Sequence, residues 1–107
     1  MIMMTDELDF KKFNYKLLPP TSVDDLLNKH DELVAQAVAV LEGNTNDDFE
    51  KKWVMRSGDH IIYTLPKHAA LRRFAFSHLF HHRGQLSVYL RLLDVPVPGM
   101  YGPTADE

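Results

Sequence analysis

From Val23 onward apolar residues recur at Leu26, Leu27, Leu33, Val34, Ala37, Val38 and Leu41, the three-and-four spacing of one helical face. Thr21 or Ser22 can cap that helix, and Asp24 and Asp25 stand in its first turn, where acids complement the dipole. Thr21 to Asp24 also has capping-box spacing, with Asp in place of the usual Glu or Gln. Gly43-Asn44 is a stop signal, so the pattern predicts a helix over 22–42. Residues 44–51 read as a polar loop with one helical turn around Asp47 to Lys51. Trp53-Val54-Met55 and Ile61-Ile62-Tyr63-Thr64 flank a Ser57-Gly58-Asp59 turn, which predicts a small β-hairpin. Pro66 marks the start of a second helix, over about 67–93. Its apolar positions cover more than half the circumference, so it is expected to be buried on more than one side. Asp94-Val95-Pro96 ends it, and an extended tail rich in proline and glycine follows. Residues 1–20 read as an irregular arm with one short turn, closed by Pro19-Pro20, with 21–107 as the folded part.

Composition narrows the class. The chain has 107 residues, 45% hydrophobic and 25% charged, which are globular values. Twelve bases against 15 acids give a net charge of −3 and no basic stripe, which argues against a nucleic-acid partner. Cys is 0, which removes disulfides, thiolate metal sites and a cysteine nucleophile. No apolar run reaches the roughly 20 residues of a membrane helix. The start, Met1 to Phe10, lacks the basic and apolar regions of a signal peptide, so a cytoplasmic protein with no membrane partner is expected.

Six histidines are the unusual count. His78 and His82 are four apart on the second helix, stacked one turn apart on one face. Two imidazoles so placed can share one ion. Leu71, Phe74, Gln85 and Tyr89 fall within roughly 40° of the same face. Hydrogen bonds to Tyr89, Gln85 or backbone carbonyls are the alternative partners for the two rings. His81 points about 100° away, which suits an outer or surface role. Arg83 reads as an ion-pair partner or an anchor for an anionic group, and Gln85 as a holder of a histidine's second nitrogen. Gly84 implies close approach of another helix or loop, and Tyr89 reads as core. Trp53 is expected to anchor the hairpin on a bundle, with His60 and His68 facing solvent.

The stretch HLFHHRGQLSVYLRLLDVPVPGMYGPTADE, residues 78–107, resembles the C-terminal end of the DinB/YfiT-like superfamily. The branch in question carries H-x-x-H-H-R-G-Q on its last helix and ends near YGPSADE. A weaker likeness extends through Arg56-Ser57-Gly58 to Thr5–Phe10. The resemblance implies an all-α four-helix bundle with a three-histidine site for a divalent metal, zinc or nickel. Two of its ligands fall here on His78 and His82, and the third belongs to an earlier helix. Family members include thiol-dependent transferases and isomerases and hydrolase-like proteins.

The family's T-D-E-L-D-F segment follows the first two helices of its bundle, but here it starts at Thr5. The chain therefore reads as the C-terminal part of a member, an all-α partial bundle of two long helices plus a small hairpin. Such a half cannot close a core. A homodimer that rebuilds four helices is expected, centred on the 67–93 helix and helped by 22–42. Two copies could also bring four imidazoles together, and His30 on the first helix is another candidate third ligand. Two functions are carried forward. One is a metal-dependent transferase or hydrolase that activates water or a thiol for a small-molecule substrate. The other is a non-catalytic structural or metal-binding homodimer. An interaction module for another protein follows from the same apolar helix faces.

Overall fold

The computed structural model describes residues 1–16 and 18–103. The chain forms two compact units, Met1–Leu71 and Arg72–Glu107.

The first unit is built on a three-stranded mixed sheet, β1 (Glu7–Asp9), β2 (Lys52–Ser57) and β3 (His60–Pro66), in that spatial order. β2 and β3 form the predicted hairpin, antiparallel, with Trp53 opposite Leu65 and Ser57 opposite His60. Met55 pairs with Tyr63 but Arg56 with Ile61, so Ile62 is an extra residue that bulges β3. Gly58 makes the turn at φ 59°, a conformation that costs glycine little. β1 lies parallel to β2, Glu7 beside Val54 and Asp9 beside Arg56.

This sheet overturns the all-α fold class; in the arm the one short turn is the 3-10 turn Ile2–Met4, and the strand Glu7–Asp9 replaces irregular chain. Glu7-Leu8-Asp9 is too short to display a period of two, and its partner lies more than 40 residues away in sequence. Nothing local could announce the pairing.

Trp53 is 1% exposed. Its indole Nε1 donates to Thr5 Oγ1 at 3.3 Å, which ties the hairpin to the N-terminal segment. Ile2, Met3, Leu8 and Ala70 are buried as well. Two charges are buried beside them. Asp9 Oδ1 accepts from the Gly58 amide at 2.9 Å and the Lys11 amide at 3.0 Å. Lys67 Nζ lies 3.2 Å from Asp6 Oδ1. Among the described residues no buried side-chain nitrogen or oxygen lacks a partner.

Helix α1 (Val23–Glu42) matches its predicted span. Ser22 is the cap, its Oγ accepting from the Asp25 amide at 3.0 Å, while Asp25 Oδ2 accepts from the Thr21 amide at 2.9 Å. The cap is thus one residue later than the Thr21–Asp24 spacing, and the Asp25 carboxylate reaches back to Thr21 rather than to the cap residue itself. Helix α2 (Asn46–Glu50) is the expected single turn, closed by a full capping box between Thr45 and Asp48. Helix α3 (Lys67–Ala70) follows Pro66 directly.

A π-helical stretch (Leu71–Phe76), which starts on the last residue of the first unit, leads into helix α4 (Ser77–Leu92) of the second. The sequence predicted ordinary helix there, since a π stretch leaves the apolar pattern unchanged. Asp94 turns left-handed at φ 55°; its amide bonds to the Arg91 carbonyl at 3.1 Å and the Val95 amide to the Leu90 carbonyl at 3.0 Å. That is a Schellman end with Asp in the place usually taken by glycine. Val97 of the tail is buried. α4 itself has no buried residue, so a single chain does not supply the burial expected on more than one side; its apolar residues alternate with three histidines, two arginines and Gln85. Among the described residues no helix is long and apolar enough to cross a membrane.

Candidate metal centre

His78 and His82 stand four positions apart on α4, so one helical turn stacks their rings. The ring centroids are 4.5 Å apart and the planes 23° from parallel. Nε2 of one ring lies 2.7 Å from Nε2 of the other. Two nitrogens at that distance share one proton: one ring donates N–H and the other offers its lone pair. The alternative partners named from sequence, Tyr89 and Gln85, are both exposed, and each imidazole satisfies the other.

The pair can be tested against an ion. Zinc–imidazole bonds of about 2.0–2.1 Å in a tetrahedron place two ligand nitrogens roughly 3.3 Å apart. The observed pair is slightly closer, and a small ring rotation opens it to that bite. The donor set is two imidazole nitrogens, which suits zinc, nickel or copper better than magnesium or calcium. Both rings are exposed, so the pair is open to solvent.

The other candidates are placed as follows. His81 is edge-on to both rings, its centroid 5.3 Å from His82 and 6.5 Å from His78. Arg83 is exposed and lies 5.3 Å from the Phe80 ring centroid, a cation–π contact. Gly84 has open space where a Cβ would stand, so the expected close approach is not found. Tyr89 is 62% exposed rather than core. His30, on α1, has its Nδ1 3.2 Å from the Asp31 carboxylate in an exposed setting. Among the described residues no group of three or more His, Cys, Asp or Glu side chains gathers as a ready metal site.

His60 and His68 are exposed, as expected. His68 Nδ1 lies 3.3 Å from the Phe49 carbonyl and 3.5 Å from the Glu50 carboxylate. The second unit also carries a groove of about 330 Å³ lined by Ser87, Arg91, Val97, Met100, Tyr101 and neighbours, and no histidine lines it. Sequence reasoning missed the buried charges of the first unit. Asp9 and Lys67 stand in mixed polar segments, and only the pairing of β1 shows that they are enclosed. The amide hydrogen bonds from Gly58 and then Lys11 hold the Asp9 carboxyl below the usual carboxylate range.

Comparison with known proteins adds two findings. A stretch of 38 residues, 36% of this chain, is 45% identical to "Uncharacterized protein YrdA" of Bacillus subtilis (strain 168). That stretch spans 23% of the relative's length. No solved structure matches the chain. The profile of the DinB family matches residues 8–107, nearly the whole sequence, and the chain belongs to that family.

Proposed function

We propose that this DinB-family chain binds a divalent metal ion, zinc or nickel, through His78 and His82. The observation that carries the reading is the 2.7 Å approach of the two Nε2 atoms across one turn of α4. An ion takes the place of the proton the two rings now share. Backbone hydrogen bonding in α4 fixes the spacing of the ring-bearing residues, so little ordering remains to be done on binding. His81 lies beside the pair, and Arg83, next to His82 in sequence and over the Phe80 ring, would attract an anionic group on a small-molecule substrate.

A bound divalent ion supplies the Lewis acidity that makes water or a thiol nucleophilic near neutral pH. Transferase or hydrolase chemistry of that kind needs no protein thiol, which suits a chain with Cys 0. The exposure of both rings favours a second reading, metal binding without catalysis, because substrate chemistry gains most where water is excluded.

Titration calorimetry and elemental analysis on protein purified without a histidine tag test the proposal. Wild type should take up zinc or nickel, and His78→Ala and His82→Ala should each abolish uptake, while His81→Ala should retain it. Loss of an outer-shell partner alone costs about 10–100-fold in affinity, so loss of a ligating ring should cost more. Uptake unchanged in His78→Ala overturns the assignment. Stoichiometry separates one ion per chain from one ion shared by two.

A further inference from the structure

One turn of α4 sets the separation of the His78 and His82 rings, and that separation discriminates between ions. The two Nε2 atoms lie 2.7 Å apart. With metal–nitrogen bonds of about 2.0 Å, a right angle at the ion separates two ligand nitrogens by roughly 2.8 Å, and a tetrahedral angle by roughly 3.3 Å. The pair as it stands therefore meets the right angle within about 0.1 Å and falls short of the tetrahedral angle by about 0.6 Å. Opening it to the wider bite means turning both rings and loosening their stacking, in which the centroids are 4.5 Å apart.

The donor chemistry points the same way. Both donors are imidazole nitrogens, and the π stretch and α4 carry no Asp or Glu that could add oxygen to the set from the same helix. Among the described residues no third ligand stands ready to close a tetrahedron around the pair. Nitrogen donors at right angles suit the tetragonal ions copper(II) and nickel(II), and copper(II) heads the affinity order of the divalent first-row metals. Zinc draws no energy from the right angle and settles in protein sites as a tetrahedron of four ligands.

Resting on the reading that His78 and His82 are ligands, we propose that the pair selects a tetragonal ion over zinc, copper(II) first and nickel(II) next.

Competition and spectroscopy on the full, untagged chain test it. Protein loaded with one equivalent of copper(II) should keep it against at least about a tenfold excess of zinc, and nickel(II) should outbind zinc severalfold. Electron paramagnetic resonance of the copper(II) form should be tetragonal, with coupling to two ring nitrogens. One coupling should disappear in His78→Ala and in His82→Ala and both should remain in His81→Ala. His78, His81 and His82 are exposed, so all three variants should keep the wild-type circular dichroism. Cobalt(II), which adopts either geometry and absorbs strongly in the visible only when tetrahedral, should absorb weakly. Zinc displacing copper(II) at equal concentration, or intense tetrahedral cobalt(II) bands, overturns the selection and leaves the two ligands in place. A chain that takes up none of these ions, or a copper(II) spectrum unchanged in both His78→Ala and His82→Ala, overturns the ligand reading and the selection with it.

Discussion

The three-stranded sheet and helix α4 are both rich in large apolar residues, but they differ in how they are covered. Trp53 on β2 is 1% exposed, while Leu86 on α4 is 56% exposed. A strand's amides and carbonyls project sideways and must find a neighbouring strand, so β2 gathers β1 on one side and β3 on the other. The central strand's Trp53 is enclosed as a by-product of that backbone demand, whereas Ile61, Ile62 and Tyr63 on the edge strand β3 stay exposed. A helix satisfies its backbone within itself, so nothing obliges α4 to gather neighbours along its length. Its apolar surface stays available to whatever complementary surface arrives.

Four measurements break or sharpen this contrast. The largest effect is expected for Trp53→Ala, which should destabilise the sheet by about 3–5 kcal/mol. Denaturant unfolding measures the loss, and hydrogen exchange should place it in β2 amides. A smaller, concentration-dependent effect is expected for Leu86→Ala. In dilute protein it should stay within about 0.5 kcal/mol, as an exposed position does. If α4 is covered in the expected homodimer, the cost should climb toward the 2–5 kcal/mol of a core leucine, about the Leu→Ala range, as protein concentration rises. A flat dependence would show that α4 is not the face that pairs.

Gly58→Ala comes next. The new Cβ would have to adopt φ 59° and would stand 2.9 Å from the Lys11 side chain. A left-handed alanine costs about 1–2 kcal/mol, and the flexible lysine can move aside. Thermal unfolding should show that loss without any change in metal uptake.

The smallest effect at neutral pH is expected for Asp9→Asn, whose amide oxygen can still accept from Gly58 and Lys11. Its signature is in acid. The native carboxyl sits below the usual range, so its stabilising contribution is present above that range and is lost as pH falls through it to the depressed native value. Stability followed from neutral pH downward should therefore fall less steeply in Asp9→Asn than in wild type.

Legibility in the sequence follows the range of the interaction. α1 was readable nearly to the residue, because its stripe, its cap and its stop all lie within 20-odd consecutive positions. The hairpin was readable from Trp53, Gly58 and Ile61 for the same reason. The His78–His82 pairing needed only the helical repeat, and the two rings meet as that repeat requires. β1 was not readable, since Leu8 gains its meaning only beside Met55. The roles expected of Tyr89 and Gly84 depend on neighbours that the described residues of a single chain do not bring to α4. Local chemistry announced the elements, and distant pairing decided the fold class and the burial.

The pairing of Glu7 with Val54 carries an implication for how the molecule assembles. The β2–β3 turn closes over a few residues and can form in microseconds. β1 must wait for the chain around α1 to fold back, a much longer loop with a larger closure entropy. The N-terminal strand is therefore a late clasp, added to a hairpin that already exists. A newly made chain spends its first moments with the β2 edge bare, and what first occupies that edge determines whether Trp53 ends up under Thr5 or in contact with a neighbour.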